Sequence, residues 1–412
     1  MSNIYTCIDL GTDTIKVITA EKINDKYNVL ARVSHKSSGI KDGLITDIKK
    51  ASISVKEAID EISDMLGFSI DKALLTINPN DVSIEMTSGK VNVILYNEIT
   101  GNDIRNCINN AIEKNLDDEY ELITATPICF KVDDEESIFD PKGMKGSCLE
   151  AKVVLSFMKK ELVYRMLEVI KLSGVEIVDI TYTTVGDYYA FKDRKKDNDV
   201  GAIINIGEST TNVSIYNKGI MIKNKKVPIG SYNVDKDISY IFKIKNSESR
   251  KLKEKYATSI VGDDNSKETT TVSFSNGDMK EISKYSITKV VESRVREILN
   301  LAKKEIKNLT NRKIRYIIIT GGLNELADFS YVVQEEFGFV ASVATLDVMG
   351  IRHNKYSSCY GSIIYFDEKL TLRGKSYNMI SRENIIKLSN FQNEKEVNNN
   401  IISKVFGHFF DN

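Results

Sequence analysis

Residues 4–20 read IYTCIDLGTDTIKVITA, two apolar runs broken by the polar string Gly11-Thr12-Asp13. Each run has the length and β-branched content of a buried strand, and the break is short enough for a hairpin. A Gly-Thr turn between two strands lets backbone N–H groups and a hydroxyl approach phosphate oxygens closely. Asp9, at a strand end, is placed to hold a magnesium ion through water, and Lys16 to reach a phosphate. The string DLGTDTIK is short, and taken alone a plain hairpin turn is the simpler reading.

Outward from it, the design recurs. Residues 201–206 form an apolar run, GESTT is a turn, and residues 212–216 return, about 200 residues after the first hairpin. Such a repeat indicates two related lobes. INIGESTTNVSI, residues 204–215, offers Gly207, Ser209, Thr210 and Thr211 in the same strand-turn-strand setting. A third element, IIITGGLNEL at 317–326, is an apolar strand followed by paired glycines, which let a backbone lie flat against an adenine or ribose. Two opposed Gly-Thr hairpins can clamp a triphosphate between lobes.

Between these motifs, Ala58, Ile59, Ile62, Met65 and Leu66 sit at helical spacing within 56–66, and a strand, KALLTIN, starts at Lys72. Residues 83–157 differ in texture: short strands, a helix near 103–115 and a charged, turn-rich piece at 133–146 suggest an inserted α+β unit. Residues 159–173 form an amphipathic helix ended by Gly174, and DRKKDND at 193–199 is a polar connection. Residues 235–308 read as mostly helical, with a hairpin-like part at 269–282, and 360–366 as a helix packing back on the first lobe.

The chain's 412 residues exceed one ordinary core, and its 57 basic and 58 acidic residues nearly cancel, which gives no reason to expect nucleic acid as a partner. Five cysteines lack CxxC or Cys/His spacing and read as reduced thiols. No stretch reaches the ~18 apolar residues of a spanning helix, and the first residues do not read as a signal peptide. His35 and His353 are isolated and read as structural.

DLGTDTIK, INIGESTTNV and ITGGLNEL together resemble the two phosphate motifs and the adenosine motif of the actin, Hsp70 and sugar kinase superfamily. Within it the chain is similar to the bacterial cell-division FtsA family. ITATPICFKVDD at 123–134 and DPKGMKGSCLEAKVVL at 140–155 resemble that family's own inserted subdomain, and VVESRVREILNL at 290–301 its helix before the adenosine motif. The resemblance implies an α/β, actin-like two-lobe ATPase fold of duplicated RNase H-like domains with an inserted small α+β subdomain. The expected units are a lobe 1 core (1–82, 158–195, 360–388), the insert (83–157), a lobe 2 core (196–236, 312–359) and a lobe 2 subdomain (237–311). It further implies ATP with Mg2+, the latter at Asp9 through water. The ATP residues are Asp9, Gly11, Thr12, Asp13, Lys16, Gly207, Ser209, Thr210, Lys253, Gly321, Gly322, Leu323 and Asn324.

Departures from the family pattern bear on activity. The second motif usually opens on aspartate and carries three glycines; here Asn205 stands first, and Glu208 and Ser209 replace two glycines. A lost carboxylate removes a metal ligand or a positioner of attacking water, and Glu208 adds negative charge near the phosphates. Arg250 stands where the family often has an acid, while Lys253 and Tyr256 fit. Nucleotide binding with slow or absent hydrolysis follows, with no residue assigned as catalytic.

Residues 389–399 read as an Asn-rich linker. Beyond it, Ile401, Ile402, Val405, Phe406, Phe409 and Phe410 form one stripe on a helix over 400–412. A terminal helix of this kind either docks on protein or lies in a lipid interface; the resemblance implies a membrane anchor. It also implies self-polymerisation, other divisome partners, a place on the cytoplasmic face of the membrane at the division site, and binding of the acidic C-terminal tail of FtsZ, with Arg294 as first contact. Rival expectations are a PilM-type pilus-assembly adaptor and a small-molecule kinase of the same superfamily.

Overall fold

The computed structural model describes residues 3–93, 98–113, 118–193, 198–260, 268–273, 279–351, 353–381 and 383–384. The linker at 389–399 and the expected membrane stripe, Ile401, Ile402, Val405, Phe406, Phe409 and Phe410, lie outside the described residues.

The first hairpin forms as its sequence dictates. Strands β1 (Asn3–Leu10) and β2 (Thr14–Ile23) pair antiparallel, with Asp9 opposite Lys16, and β3 (Lys26–Lys36) extends the meander. A minimal hairpin, β4 (Ile40–Lys41) and β5 (Leu44–Ile45), leads to α1 (Ile48–Leu66). This helix starts eight residues before the stretch its large apolar residues mark. Asp47 caps it by accepting the Lys50 amide at 3.0 Å, and Ala51, Ser54 and Val55 extend the buried face toward that end. Gly67, at φ 76°, closes it in the left-handed conformation glycine favours. β6 (Lys72–Ile77) then lies parallel to β1.

The inserted unit is a four-stranded sheet, in the order β7 (Ser83–Asn92), β10 (Cys148–Lys159), β8 (Tyr120–Val132), β9 (Glu135–Ile138), with α2 (Gly101–Glu113) against it. A Cβ at Gly89 would stand 1.9 Å from the Cys107 carbonyl oxygen, so α2 lies directly on the β7 backbone. Ile104, Phe130, Leu149 and Val153 fill a core of its own. The chain returns through α3 (Lys160–Leu172) to β11 (Glu176–Tyr182), which completes the order β11-β6-β1-β2-β3, and α4 (Thr183–Ala190) follows.

The second lobe repeats the first. β12 (Val200–Ile206), β13 (Thr211–Asn217) and β14 (Ile220–Val227) form the meander. Helices α5 (Ser231–Phe242) and α6 (Asn246–Tyr256), the hairpin β15 (Thr269–Ser273)–β16 (Met279–Ser283) and α7 (Lys284–Leu309) come next. β17 (Tyr316–Gly321) lies parallel to β12, and α8 (Phe329–Phe337) and β18 (Ala341–Val343) finish a sheet of order β14-β13-β12-β17-β18. Position for position this is the first sheet's order, so the sequence repeat extends to the whole topology. On α7, Ile287, Val291, Val295, Ile298, Ala302 and Ile306 are buried at three- and four-residue spacing, as an amphipathic helix requires.

The last described helix, α9 (Ser357–Leu372), crosses back to the first lobe, where Phe366 packs edge-on against Tyr5 at a centroid distance of 5.8 Å. It crosses α4 at two glycines. A Cβ on Gly186 would stand 2.0 Å from the Ser358 oxygen, and one on Gly361 1.7 Å from the Gly186 oxygen. The chain has the actin-like two-lobe α/β fold with an inserted subdomain.

Candidate functional site

Three turns converge between the lobes on a cleft of about 800 Å3. The first follows β1. A Cβ at Gly11 would meet the Thr14 oxygen at 2.5 Å, so this turn closes only around glycine. The Thr12 hydroxyl accepts the Gly43 amide at 3.0 Å, leaving its own hydrogen for the cleft that Thr12 lines. Buried Asp9 holds the Lys16 ammonium at 2.8 Å. Burial works against the Lys16 charge, but Asp9 more than offsets it, and the lysine titrates above its ordinary range.

The second turn joins β12 to β13. The Gly207 amide donates to the Thr210 carbonyl at 2.9 Å, and the Gly207 and Glu208 carbonyls accept the Ser231 and Tyr232 amides at the start of α5. These bonds turn the carbonyls toward the helix. The buried Ser209 hydroxyl has no hydrogen-bond partner among the described residues. In the third turn Gly321 adopts φ 105°, and a Cβ there would meet the Ile206 oxygen at 2.1 Å, while Gly322 faces open space. Together these give the cleft one wall of bare backbone.

Of the residues expected to bind nucleotide, Asp9, Gly11, Thr12, Asp13, Lys16, Gly207, Ser209, Thr210, Lys253, Gly321, Gly322 and Leu323 all line this cleft. Asn324 does not; its amide donates to the Ile319 carbonyl at 2.7 Å, back into its own turn. The cleft also takes Glu325 of the third motif and residues no motif announces: Asn78, and His353, Lys355, Ser357 and Ser358 around the approach to α9. His353 is therefore a cleft residue, 3.5 Å from Glu325, rather than an isolated structural histidine. Lys355 is lowered in pKa by burial and by Lys16 and Arg32 nearby.

The missing carboxylate at position 205 has a neighbour the sequence did not single out. Asp187, fully buried on α4, receives hydrogen bonds from Asn205 Nδ2 at 2.5 Å, Thr320 at 2.7 Å, Ser357 at 2.6 Å and Ser358 at 3.2 Å. Burial holds its pKa above the usual carboxylate range despite these four donors. A carboxyl group thus lies one side chain away, inside the joint between lobes. No periodicity marks it, because α4 is buried nearly all round.

Glu208 does not turn freely into the phosphate space. It is bound by Arg250 of α6, which also donates to Asp13 at 2.8 Å and Asp235 at 3.3 Å. Burial, and the nearby charge of Asp13, raise the Glu208 pKa against the pull of Arg250. Lys253, one turn along α6, is held by Asp235 at 2.7 Å. The two departures from the family pattern, Glu208 and Arg250, are thus partners.

Outside the cleft, Arg294 on α7 is held by Asp237 at 2.5 and 3.0 Å and by Glu297 at 2.7 Å, and Arg296 by Glu292, Glu335 and Glu336. Both arginines of α7 are thus paired with carboxylates of this chain. Among the described residues no cluster of metal-ligating side chains is preformed, and no helix is long and apolar enough to cross a membrane.

Comparison with known proteins agrees with this architecture. The family described as cell division protein FtsA matches residues 202–361, and the SHS2 domain inserted in FtsA matches residues 80–156. The cell division protein FtsA of Bacillus subtilis is 26% identical over 377 residues, covering 91% of this chain and 86% of its own. Among solved structures, the PilM-PilN type IV pilus biogenesis complex gives a TM-score of 0.60 at 11% identity, covering 88% of this chain and 98% of that one. MreB5 of Spiroplasma citri bound to ADP gives 0.57 at 12% identity, over 90% and 98%. At such identities the solved structures establish the fold alone. With two FtsA-specific matches that together span more than half of the residues, in the order the fold requires, the chain belongs to the FtsA family as a divergent member.

Proposed function

We propose that this cell-division, actin-like protein binds ATP with Mg2+ between its lobes, hydrolyses it slowly or not at all, polymerises, and tethers FtsZ to the cytoplasmic face of the membrane at the division site. The observation that carries the nucleotide reading is the convergence of three glycine turns from duplicated lobes on one cleft. The residues fit such a ligand. Ser209 offers an unpartnered buried hydroxyl, Thr12 a hydroxyl hydrogen, and Gly322 an open backbone face. Phosphates are assigned to the first two turns with Lys16, adenosine to Gly321 and Gly322 with Lys253, and magnesium, through water, to Asp9. A bound magnesium ion supplies positive charge to the phosphates. The relative from Spiroplasma citri, of the same fold, binds ADP.

Slow hydrolysis follows from the carboxylates. Position 205 carries an amide, and Asp187 has its oxygens occupied by four donors and does not line the cleft. Neither is free to accept a proton from water. The nucleotide then acts through shape, as a ligand that both lobes share.

Membrane attachment is assigned to the stripe from Ile401 to Phe410. Fully burying one apolar side chain is worth ~1.5–3 kcal/mol, so six partly buried ones give a weak anchor per copy that a polymer multiplies. The FtsZ tail is assigned to α7 at Arg294, where it displaces Glu297, the more exposed of that arginine's two carboxylate partners. Co-sedimentation with liposomes and an FtsZ tail peptide, with and without ATP, tests the reading. Pelleting is expected to need the lipid and to carry the peptide, and a chain truncated after residue 390 is expected to stay in solution. Equal pelleting by the truncated chain removes the anchor, and independence from both lipid and peptide removes the adaptor.

A further inference from the structure

Three cations that line the cleft are paired with carboxylates. Lys16 is with Asp9, Lys253 with Asp235, and Arg250 with Asp13, Glu208 and Asp235. A nucleotide's phosphates therefore enter a cleft where these three charges are taken up by carboxylates, and an exchange of partners would free them. The pairs differ in how readily they exchange. The Lys253–Asp235 pair is buried on both sides, with side chains 9% and 1% exposed, and breaking it strands a buried charge. The Arg250–Asp13 pair is open to solvent, at 32% and 38%, where screening leaves an ion pair little net worth.

Arg250 is also built to change partners. Its Nε stays on buried Asp235, which fixes the guanidinium in place. Its two terminal nitrogens each make one recorded bond, to Asp13 of the first turn and to Glu208 of the second. A guanidinium has five N–H groups, so two of them have no partner among the described residues, and Arg250 lines the cleft. Its planar fork suits phosphate oxygens as it suits carboxylates. It sits between the two turns that the proposed function assigns to phosphate.

We propose that Arg250 is a phosphate ligand: when a nucleoside di- or triphosphate enters, the guanidinium passes from Asp13 and Glu208 to the phosphates while Asp235 keeps it anchored. In the nucleotide-free protein Asp13 and Glu208 hold its place. This rests on the reading that the cleft binds nucleotide. It explains why a glutamate is tolerated in the second turn: Arg250 holds Glu208 in the empty cleft and offsets its charge in the filled one.

The alternative is a strut, in which Arg250 merely ties Asp13 of one lobe to Glu208 of the other. Two variants separate these, with affinity for MgATP and MgADP measured calorimetrically on the full chain. Arg250→Ala is expected to weaken both nucleotides about tenfold or more, the worth of a hydrogen bond to a charged group. Asp13→Asn removes a competitor for the guanidinium and a negative charge, and is expected to tighten them severalfold. A strut predicts that both variants weaken binding, or that neither changes it, and either result overturns the proposal. If Arg250→Ala does not fold, Arg250→Lys serves, with an intermediate loss expected and wild-type affinity overturning the idea. Failure of the wild-type chain to bind either nucleotide overturns the cleft reading itself, and this proposal with it.

Discussion

Asp187 shows how much one side chain can hold in this fold. It joins α4 to Asn205 and Thr320 of the second sheet and to Ser357 and Ser358 of α9, so its carboxylate is a node between lobes. A buried donor left without its acceptor costs ~1–3 kcal/mol, and more than one is stranded here, so Asp187→Ala is expected to lower stability by about 3 kcal/mol in chemical denaturation. Asp187→Asn keeps the shape and should cost less. Its effect depends on pH. The folded-state pKa is raised by burial, so the carboxyl group's contribution is fully present below its unfolded value of ~3.9 and declines as pH rises through the higher folded value. Wild type should therefore gain on Asp187→Asn as the pH falls from 7.5 to about 4. Denaturation midpoints at the two pH values check this, and a gap that does not move with pH refutes it.

Among the elements, α4 and α9 cross in close backbone contact. Gly186 and Gly361 let the two helix backbones touch, and Tyr188 of α4 stacks on Tyr216 of β13 with centroids 4.7 Å apart. The Tyr216 hydroxyl donates to the Thr184 carbonyl at 2.8 Å, tying α4 to the second sheet. An added methyl at Gly361 would overlap the Gly186 carbonyl, which belongs to a helix backbone that cannot give way locally. Overpacking of this kind costs ~1–3 kcal/mol or more. Gly361→Ala should lower the denaturation midpoint by that amount, whereas Gly322→Ala, whose methyl meets nothing within 4 Å, should leave it in place. Equal midpoints for the two variants would show that the helices cross more loosely.

For the whole molecule, the two sheets of identical order face a common cleft, and the groups that join them include Asp187, the Tyr188–Tyr216 stack and the Arg250–Asp13 pair. A ligand that touches both lobes adds to these joints. A ligand that binds only the folded state stabilises it by about 2.7 kcal/mol at a hundred times its dissociation constant. MgATP at that excess should raise the unfolding midpoint of the wild-type chain, and phosphate release over the same period should stay near background. An unchanged midpoint, or steady turnover, would mean that the nucleotide is not held for shape.

The sequence by itself determined the two hairpins, their repetition, the third glycine turn and the inserted unit, because each depends on short-range rules: apolar runs of strand length, glycine where backbones or phosphates must approach, and a change of texture between them. It determined α7 as well, whose buried residues recur at helical spacing. It did not yield the first eight residues of α1, where small buried residues carry the face, or the cleft positions of His353, Lys355, Ser357 and Ser358, which belong to no motif. Asn205, Glu208 and Arg250 each looked like damage in the sequence, because a motif is read one position at a time. The tertiary structure makes Glu208 and Arg250 partners, for a charge can be balanced by any group within a few ångströms, however distant along the chain. Asp187 lies beside Asn205, and Arg250 binds Glu208 and Asp13. Such pairings depend on how lobes and helices meet, and that is fixed by packing alone.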